Sequence, residues 1–112
     1  MIYAVDLDHT LCFPNLKEKN TYLRYGEALP NLPLIEKINS LYEKGDTIIL
    51  YTARRMLTHK GDLQKIEEDV GDITRDWLRQ HKVKYHELIF GKIYYDLLID
   101  DKTILPEDFL NS

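Results

Sequence analysis

Five polar residues of this sequence stand directly at the ends of apolar runs. Asp6 and Asp8 close the run that starts at Ile2, Thr52 follows Thr47 to Tyr51, and Asp100 and Asp101 follow Tyr95 to Ile99. Parallel α/β sheets bind ligands outside the carboxyl ends of their strands, so these groups are expected to converge on one crevice. Carboxylates crowded together repel one another unless a cation or protons compensate. Hard oxygen ligands with a few waters suit Mg²⁺, and Mn²⁺ shares that preference.

The elements that must position these residues follow from periodicity. Ile2 to Leu7 reads as a buried strand whose C-terminal end carries the chemistry. Cys12 to Asn31 is broken by Pro14, Asn15, Asn20, Gly26 and Pro30, which predicts a loop or loose hairpin with Tyr22 to Tyr25 as a candidate arm. Leu34, Ile35, Ile38, Leu41 and Tyr42 fall at helical spacing, and Gly45 suits the C-terminal cap. Thr47 to Tyr51 is a second strand, and Leu63 to His81 a helix that Gly71 is placed to interrupt. Leu88 to Phe90 gives a third strand, Tyr95 to Ile99 a fourth, and the tail around Pro106 and Phe109 a last turn packing back on the sheet. Strands alternating with helices predict one Rossmann-like α/β domain of three layers over residues 1–112, with a mostly parallel sheet.

Composition narrows the function classes. The 112 residues suit a single domain with one core, and neither a repeat nor a low-complexity segment breaks them. With 19 acidic against 15 basic residues, the net charge of -4 disfavours general nucleic-acid binding. Cys12 is the single cysteine, the start lacks the pattern of a secretory signal, and no apolar stretch approaches a membrane span. A cytoplasmic protein without a membrane partner is the expectation.

The sequence resembles the haloacid-dehalogenase superfamily of phosphatases along its whole length. The family's first motif, Asp-x-Asp-x-Thr after a hydrophobic strand, stands here as Asp6-Leu7-Asp8-His9-Thr10. Its strand-closing Thr or Ser is Thr52, its Lys or Arg is Lys92 in Phe90-Gly91-Lys92, and its acidic pair is Asp100-Asp101. The resemblance implies a two-step hydrolysis in which Asp6 attacks phosphorus to form an aspartyl-phosphate. It places Mg²⁺ between Asp6, Asp100 and the backbone carbonyl of Asp8, neutralising the approach of one anion to another. Asp8 is left to protonate the leaving alcohol and then to deprotonate the attacking water. Thr52 and Lys92 would hold the phosphoryl oxygens, and Asp101 would orient the metal's ligands or Lys92. An Asp two residues after the nucleophile favours phosphate monoester hydrolysis over dehalogenation or phosphonate cleavage. The family's common glycine before Thr10 is replaced by His9, which tolerates unusual backbone angles less well or else faces the substrate.

The resemblance also bears on the substrate. The intervals Cys12 to Asn31 and Ala53 to Glu87 leave room for a short flap and no cap domain. An open site then excludes water through a neighbouring subunit or a large substrate. Tyr51-Thr52-Ala53-Arg54 and Ile99-Asp100-Asp101 resemble small bacterial proteins linked to capsular and other surface-polysaccharide biosynthesis, which implies a phosphorylated sugar or sugar-linked phosphate. Arg54 is a candidate to bind a second group of that substrate, or else a solvated arginine at a strand exit. Tyr22, Arg24 and Tyr25 stack on a sugar or base, or simply pack the flap.

Other readings are weighed against these. A calcium loop starting at Asp6 would need Gly and Glu where Leu11 and Lys17 stand. A receiver domain would need its phosphoacceptor on a later strand, and the strand here that would serve ends in Thr52. His59, His81 and His86 lack metal-ligand spacing and read as surface residues, Glu67 to Asp69 as a solvated helix face, and Trp77 as helical core. A phosphatase of nucleic-acid ends or nucleotides, and a catalytically silent binding module of the same fold, are the alternative functions.

Overall fold

The computed structural model describes residues 1–112. Strand β1 (Ile2–Asp6) pairs in parallel with β4 (Thr47–Thr52), which pairs in parallel with β5 (Glu87–Phe90), giving the order β1-β4-β5. A short antiparallel ladder joins β2 (Cys12–Phe13) to β3 (Leu29–Pro30) and closes the expected hairpin. Inside that hairpin Tyr22–Gly26 is a π-helical turn rather than a strand arm. Its single turn buries Tyr25 and leaves Tyr22 and Leu23 exposed, an arrangement that alternation along a strand would not give.

Helix α1 (Leu32–Glu43) starts at Asn31, whose side-chain oxygen accepts the Leu34 N–H at 3.3 Å. The same side chain donates to the Thr10 carbonyl at 2.9 Å, tying the helix start to the loop after β1. At the other end Gly45 has φ +96, with Gly45 N–H bonded to Tyr42 O and Asp46 N–H to Leu41 O. That is the Schellman arrangement, whose left-handed residue glycine fits without a Cβ clash.

The predicted helix from Leu63 is present as α2 (Leu63–Ile66), a π-helical turn Glu67–Gly71 and α3 (Asp72–Gln80). Gly71 marks the end of the π turn, so the interruption falls where the sequence placed it. β4 buries Ile48, Leu50 and Thr52, with Ile49 and Tyr51 half-buried between them. Ile48 and Leu50 share one core with Leu34, Ile35 and Ile38 of α1 and with Trp77 and Leu78 of α3. The Trp77 indole N–H donates to the Ala28 carbonyl at 2.9 Å, so α3 also holds the hairpin down.

The last third departs from expectation. Between Gly91 and Leu105 the chain has no regular structure, and Tyr95 to Ile99 forms no fourth strand. This segment is fixed at its two ends: Lys92 N–H bonds the Thr52 carbonyl, and α4 (Pro106–Leu110) packs against α1 with Phe109 beside Lys37 and Tyr3. Between those anchors it arches past the free edge of β1, leaving a cavity of about 1340 Å³ lined by Tyr3, Val5, Leu97, Leu98 and Phe109 among others. Leu97 and Ile99 stay 78% and 90% exposed, so an apolar, β-prone run without a ladder partner remains coil here. No helix is long and apolar enough to cross a membrane.

Candidate active site

The chain leaves β1 at Asp6 and turns sharply. The Leu7 carbonyl accepts N–H bonds from Thr10, Leu11 and Cys12 at 3.1, 2.8 and 3.1 Å, while Leu7 itself is buried. His9 adopts φ +64, the left-handed conformation that glycine takes most easily and that His, Asn and Asp tolerate better than most. It is exposed and lines the mouth of the pocket that the turn creates. The turn leaves Asp6 and Asp8 at one pocket of about 630 Å³, together with Thr52, Arg54 and Lys92.

Each carboxylate has its own cation. Lys92 Nζ lies 3.6 Å from Asp6 Oδ1. Gly91, at φ +102, makes the bend that delivers Lys92 there from the end of β5, and a Cβ at Gly91 would come within 2.9 Å of Leu63 Cδ2. Burial pushes the Asp6 carboxyl above its ordinary range and outweighs the opposing pull of Lys92. Burial also works against the Lys92 ammonium, but hydrogen bonding to Tyr95 and the charge of Asp6 more than offset it and hold its pKa above the usual lysine value.

Arg54 takes a place the sequence did not suggest. It is 4% exposed, so it is not a solvated strand-exit arginine. Nor is its guanidinium free to reach a substrate: Nε sits 3.1 Å from both oxygens of Asp8, Nη2 donates to Asp8 Oδ1 at 2.8 Å and Nη1 donates to Thr74 Oγ1 at 2.9 Å. Thr74 in turn donates to the Val70 carbonyl at 2.6 Å, inside the π turn. Nη2 also faces Cys12 Sγ at 3.3 Å, and burial pushes that thiol up to about 12, so it stays protonated. Arg54 is therefore a positioning residue for Asp8, backed by α3. Thr52 is 1% exposed and its Oγ1 accepts the Arg54 N–H at 3.1 Å, which leaves the hydroxyl proton free to point to the pocket.

Asp100 and Asp101 are not gathered here. Both are exposed on the irregular tail, and Asp100 Oδ1 instead accepts the Asp101 N–H at 2.7 Å. That contact with Asp101, with further help from Lys102, lowers the Asp100 pKa. Without the fourth strand nothing carries the pair to the end of β1, and no group of three or more acidic, His or Cys side chains is arranged to hold a metal. The donors present are the Asp6 carboxylate and the oxygens of Asp8. Mg²⁺ is commonly held by one or two carboxylates with waters and a substrate phosphate, and the chemistry of this pair suits that partial set.

Arg55 and the acid that pairs with it escaped sequence reasoning. Asp69, expected on a solvated face, instead meets His59 Nε2 at 2.8 Å and Arg55 Nε at 3.3 Å. Arg55 sits at φ +59 beside the pocket. The buried ring of Tyr25 is ringed by the guanidinium groups of Arg24, Arg54 and Arg55, at 5.4, 4.5 and 5.2 Å. The doublet Arg54-Arg55, separated from the end of β4 by one residue, was the signal available for this wall.

Fold and site together define a parallel α/β domain whose ionisable groups collect at the carboxyl ends of its strands. A Vibrio cholerae protein solved as a structural-genomics target superposes with a TM-score of 0.86 at 32% identity, over 99% of this chain and 88% of that one. The chain belongs to the same family as that protein. A chain of the Pnkp1/Rnl/Hen1 complex shares the fold, with a TM-score of 0.57 at 19% identity over 80% of this chain and 26% of that chain. No protein-family model and no curated protein matches the sequence.

Proposed function

We propose that the chain is a phosphomonoester hydrolase of the haloacid-dehalogenase type, with Asp6 as nucleophile. The observation that carries this reading is the charge arrangement after β1: Asp6 beside Lys92 at 3.6 Å, and Asp8 clamped by Arg54 at 2.8 Å, two residues apart on one turn. Asp6 attacks phosphorus and the ester oxygen departs, taking a proton from Asp8. Asp8 then removes a proton from the water that displaces the aspartyl group. Lys92 and the Thr52 hydroxyl hold phosphoryl oxygens, and Arg54 keeps Asp8 in register through both steps. Magnesium, held by the Asp6 carboxylate and the Asp8 carbonyl, would supply further charge neutralisation when bound.

Phosphorylated sugars of surface-polysaccharide synthesis are the proposed substrates, handled in the cytoplasm, where the single thiol of Cys12 stays reduced. A pocket of about 630 Å³ is of small-molecule size. A second subunit over the open pocket would complete the exclusion of water.

The test is phosphate release from p-nitrophenyl phosphate and a panel of sugar phosphates, with Mg²⁺ and with chelator. Wild type is expected to turn over only with the cation, and Asp8→Asn to lose about a hundredfold or more in kcat. Absence of turnover on every ester, or turnover indifferent to Asp8→Asn, would sink the proposal.

A further inference from the structure

We infer that Arg24 forms a second anion subsite in this pocket, and that the substrate is a phosphomonoester bearing another negative group, a carboxylate or a further phosphate. This rests on the phosphatase reading above and sharpens its substrate class.

The inference comes from pairing the pocket's charges. Four cationic side chains line it, and three are matched: Lys92 with Asp6, Arg54 with Asp8, and Arg55 with Asp69. Arg24 has no carboxylate within ion-pair distance and its side chain makes no hydrogen bond. Its Nε is buried without a hydrogen-bond partner, as is that of Arg55, but Arg55 has Asp69 at 3.3 Å to answer its charge and Arg24 has only the Tyr25 ring, 5.4 Å away. The pocket's remaining acid, Asp96, is exposed and forms no ion pair with it.

An unmatched buried donor on a permanent charge is costly, and folded proteins satisfy nearly all such groups. A planar guanidinium presents a fork that fits the two oxygens of a carboxylate or phosphate. The Tyr25 ring, 5.4 Å from the Arg24 guanidinium, gives that fork an aromatic face to lie against. Lys92 and Thr52 are committed to the phosphoryl group in the reading above, so Arg24 is the cation left for the body of the molecule. A neutral sugar would leave its charge unanswered.

Calorimetric titration tests this without requiring turnover, using Asp6→Asn protein and two matched pairs of ligands. One pair is sorbitol 6-phosphate against 6-phosphogluconate, two open chains that differ in a terminal hydroxymethyl against a carboxylate. The other is adenosine 3′-monophosphate against adenosine 3′,5′-bisphosphate, which adds a phosphate. At least one doubly anionic ligand is expected to bind about tenfold tighter than its partner, and the pair that shows this identifies the source of the second anion. Adding Arg24→Gln should bring that ratio close to one, and Arg24→Lys, which keeps the charge and loses the fork, should restore part of it. Equal affinities within both pairs, or a ratio that survives Arg24→Gln, would overturn the inference. Failure of the phosphatase reading is separately visible, as absence of hydrolysis by wild type with the discrimination intact.

Discussion

Replacing Arg54 by alanine is expected to destabilise the protein by about 3 kcal/mol, the lower end of the range for breaking a buried ion pair. The guanidinium is almost wholly inaccessible, while the Asp8 side chain keeps 22% of its exposure, so water recovers part of the loss. What it does not recover is the bond to Thr74, the bed on Tyr25 and the volume of the side chain itself. Urea denaturation gives the number. The double variant Asp8→Asn/Arg54→Ala should lose less than the two single losses combined, because neutralising Asp8 removes the charge that Arg54 answers. In the proposed reaction Arg54→Ala also loosens the acid that protonates the leaving group, and kcat should fall about a hundredfold. Arg54→Lys keeps a charge but not the two-point grip on Asp8, so it should recover part of the lost stability and less of the lost kcat. An unchanged urea midpoint in Arg54→Ala would show that the pair does not hold the turn.

The second large effect belongs to Asp6. In the proposed reaction Asp6→Asn removes the nucleophile, and turnover should fall by at least about a thousandfold, as the aspartyl-phosphate cannot form. Stability should move the other way. Burial raises the Asp6 pKa from its ordinary value of 3.8, despite Lys92, so the folded state holds the proton more tightly than the unfolded chain does. Between those two pKa values the native state carries the extra proton, and stability falls as pH rises through that window. Above it the ionised, half-buried carboxylate is a standing penalty, which the neutral amide lacks. Asp6→Asn is therefore expected to melt at a higher temperature than wild type at neutral pH. The difference should close as pH is lowered below the ordinary aspartate value, where both side chains are uncharged. Melting curves across pH measure it, and a wild type that melts higher at neutral pH would contradict the burial argument.

What could be read from the sequence divides along physical lines. Elements stabilised by their own periodicity were legible: β1 and β4 as apolar runs, α1 from Leu34, Ile35 and Ile38, its end at Gly45, and the break at Gly71. Asp6, Asp8 and Thr52 were legible because strand ends bring them together whatever the loops do, and Lys92 was legible through the family resemblance. Features that depend on a distant partner were not. Arg54 reads as a substrate ligand or a solvated arginine until Asp8 and Thr74 are seen to enclose it. Asp69 looks like one acid of three until Arg55 and His59 reach it. Tyr95 to Ile99 has the composition of a strand, yet a strand is a pairing and not a composition, and no ladder reaches it. Asp100 follows that segment away from the site.

The free flank of β1 has a dynamic consequence. β4 is laddered on both sides, whereas β1 is bonded only to β4, and its other edge looks into the cavity under the tail. In a parallel pair, successive amides of a strand point alternately to either flank. Amide exchange along Ile2–Asp6 should therefore show a two-residue rhythm, protected positions alternating with open ones, while β4 is slow throughout. The strand that ends in Asp6 is thus only half-stitched into the sheet, and it is where sub-global opening should begin.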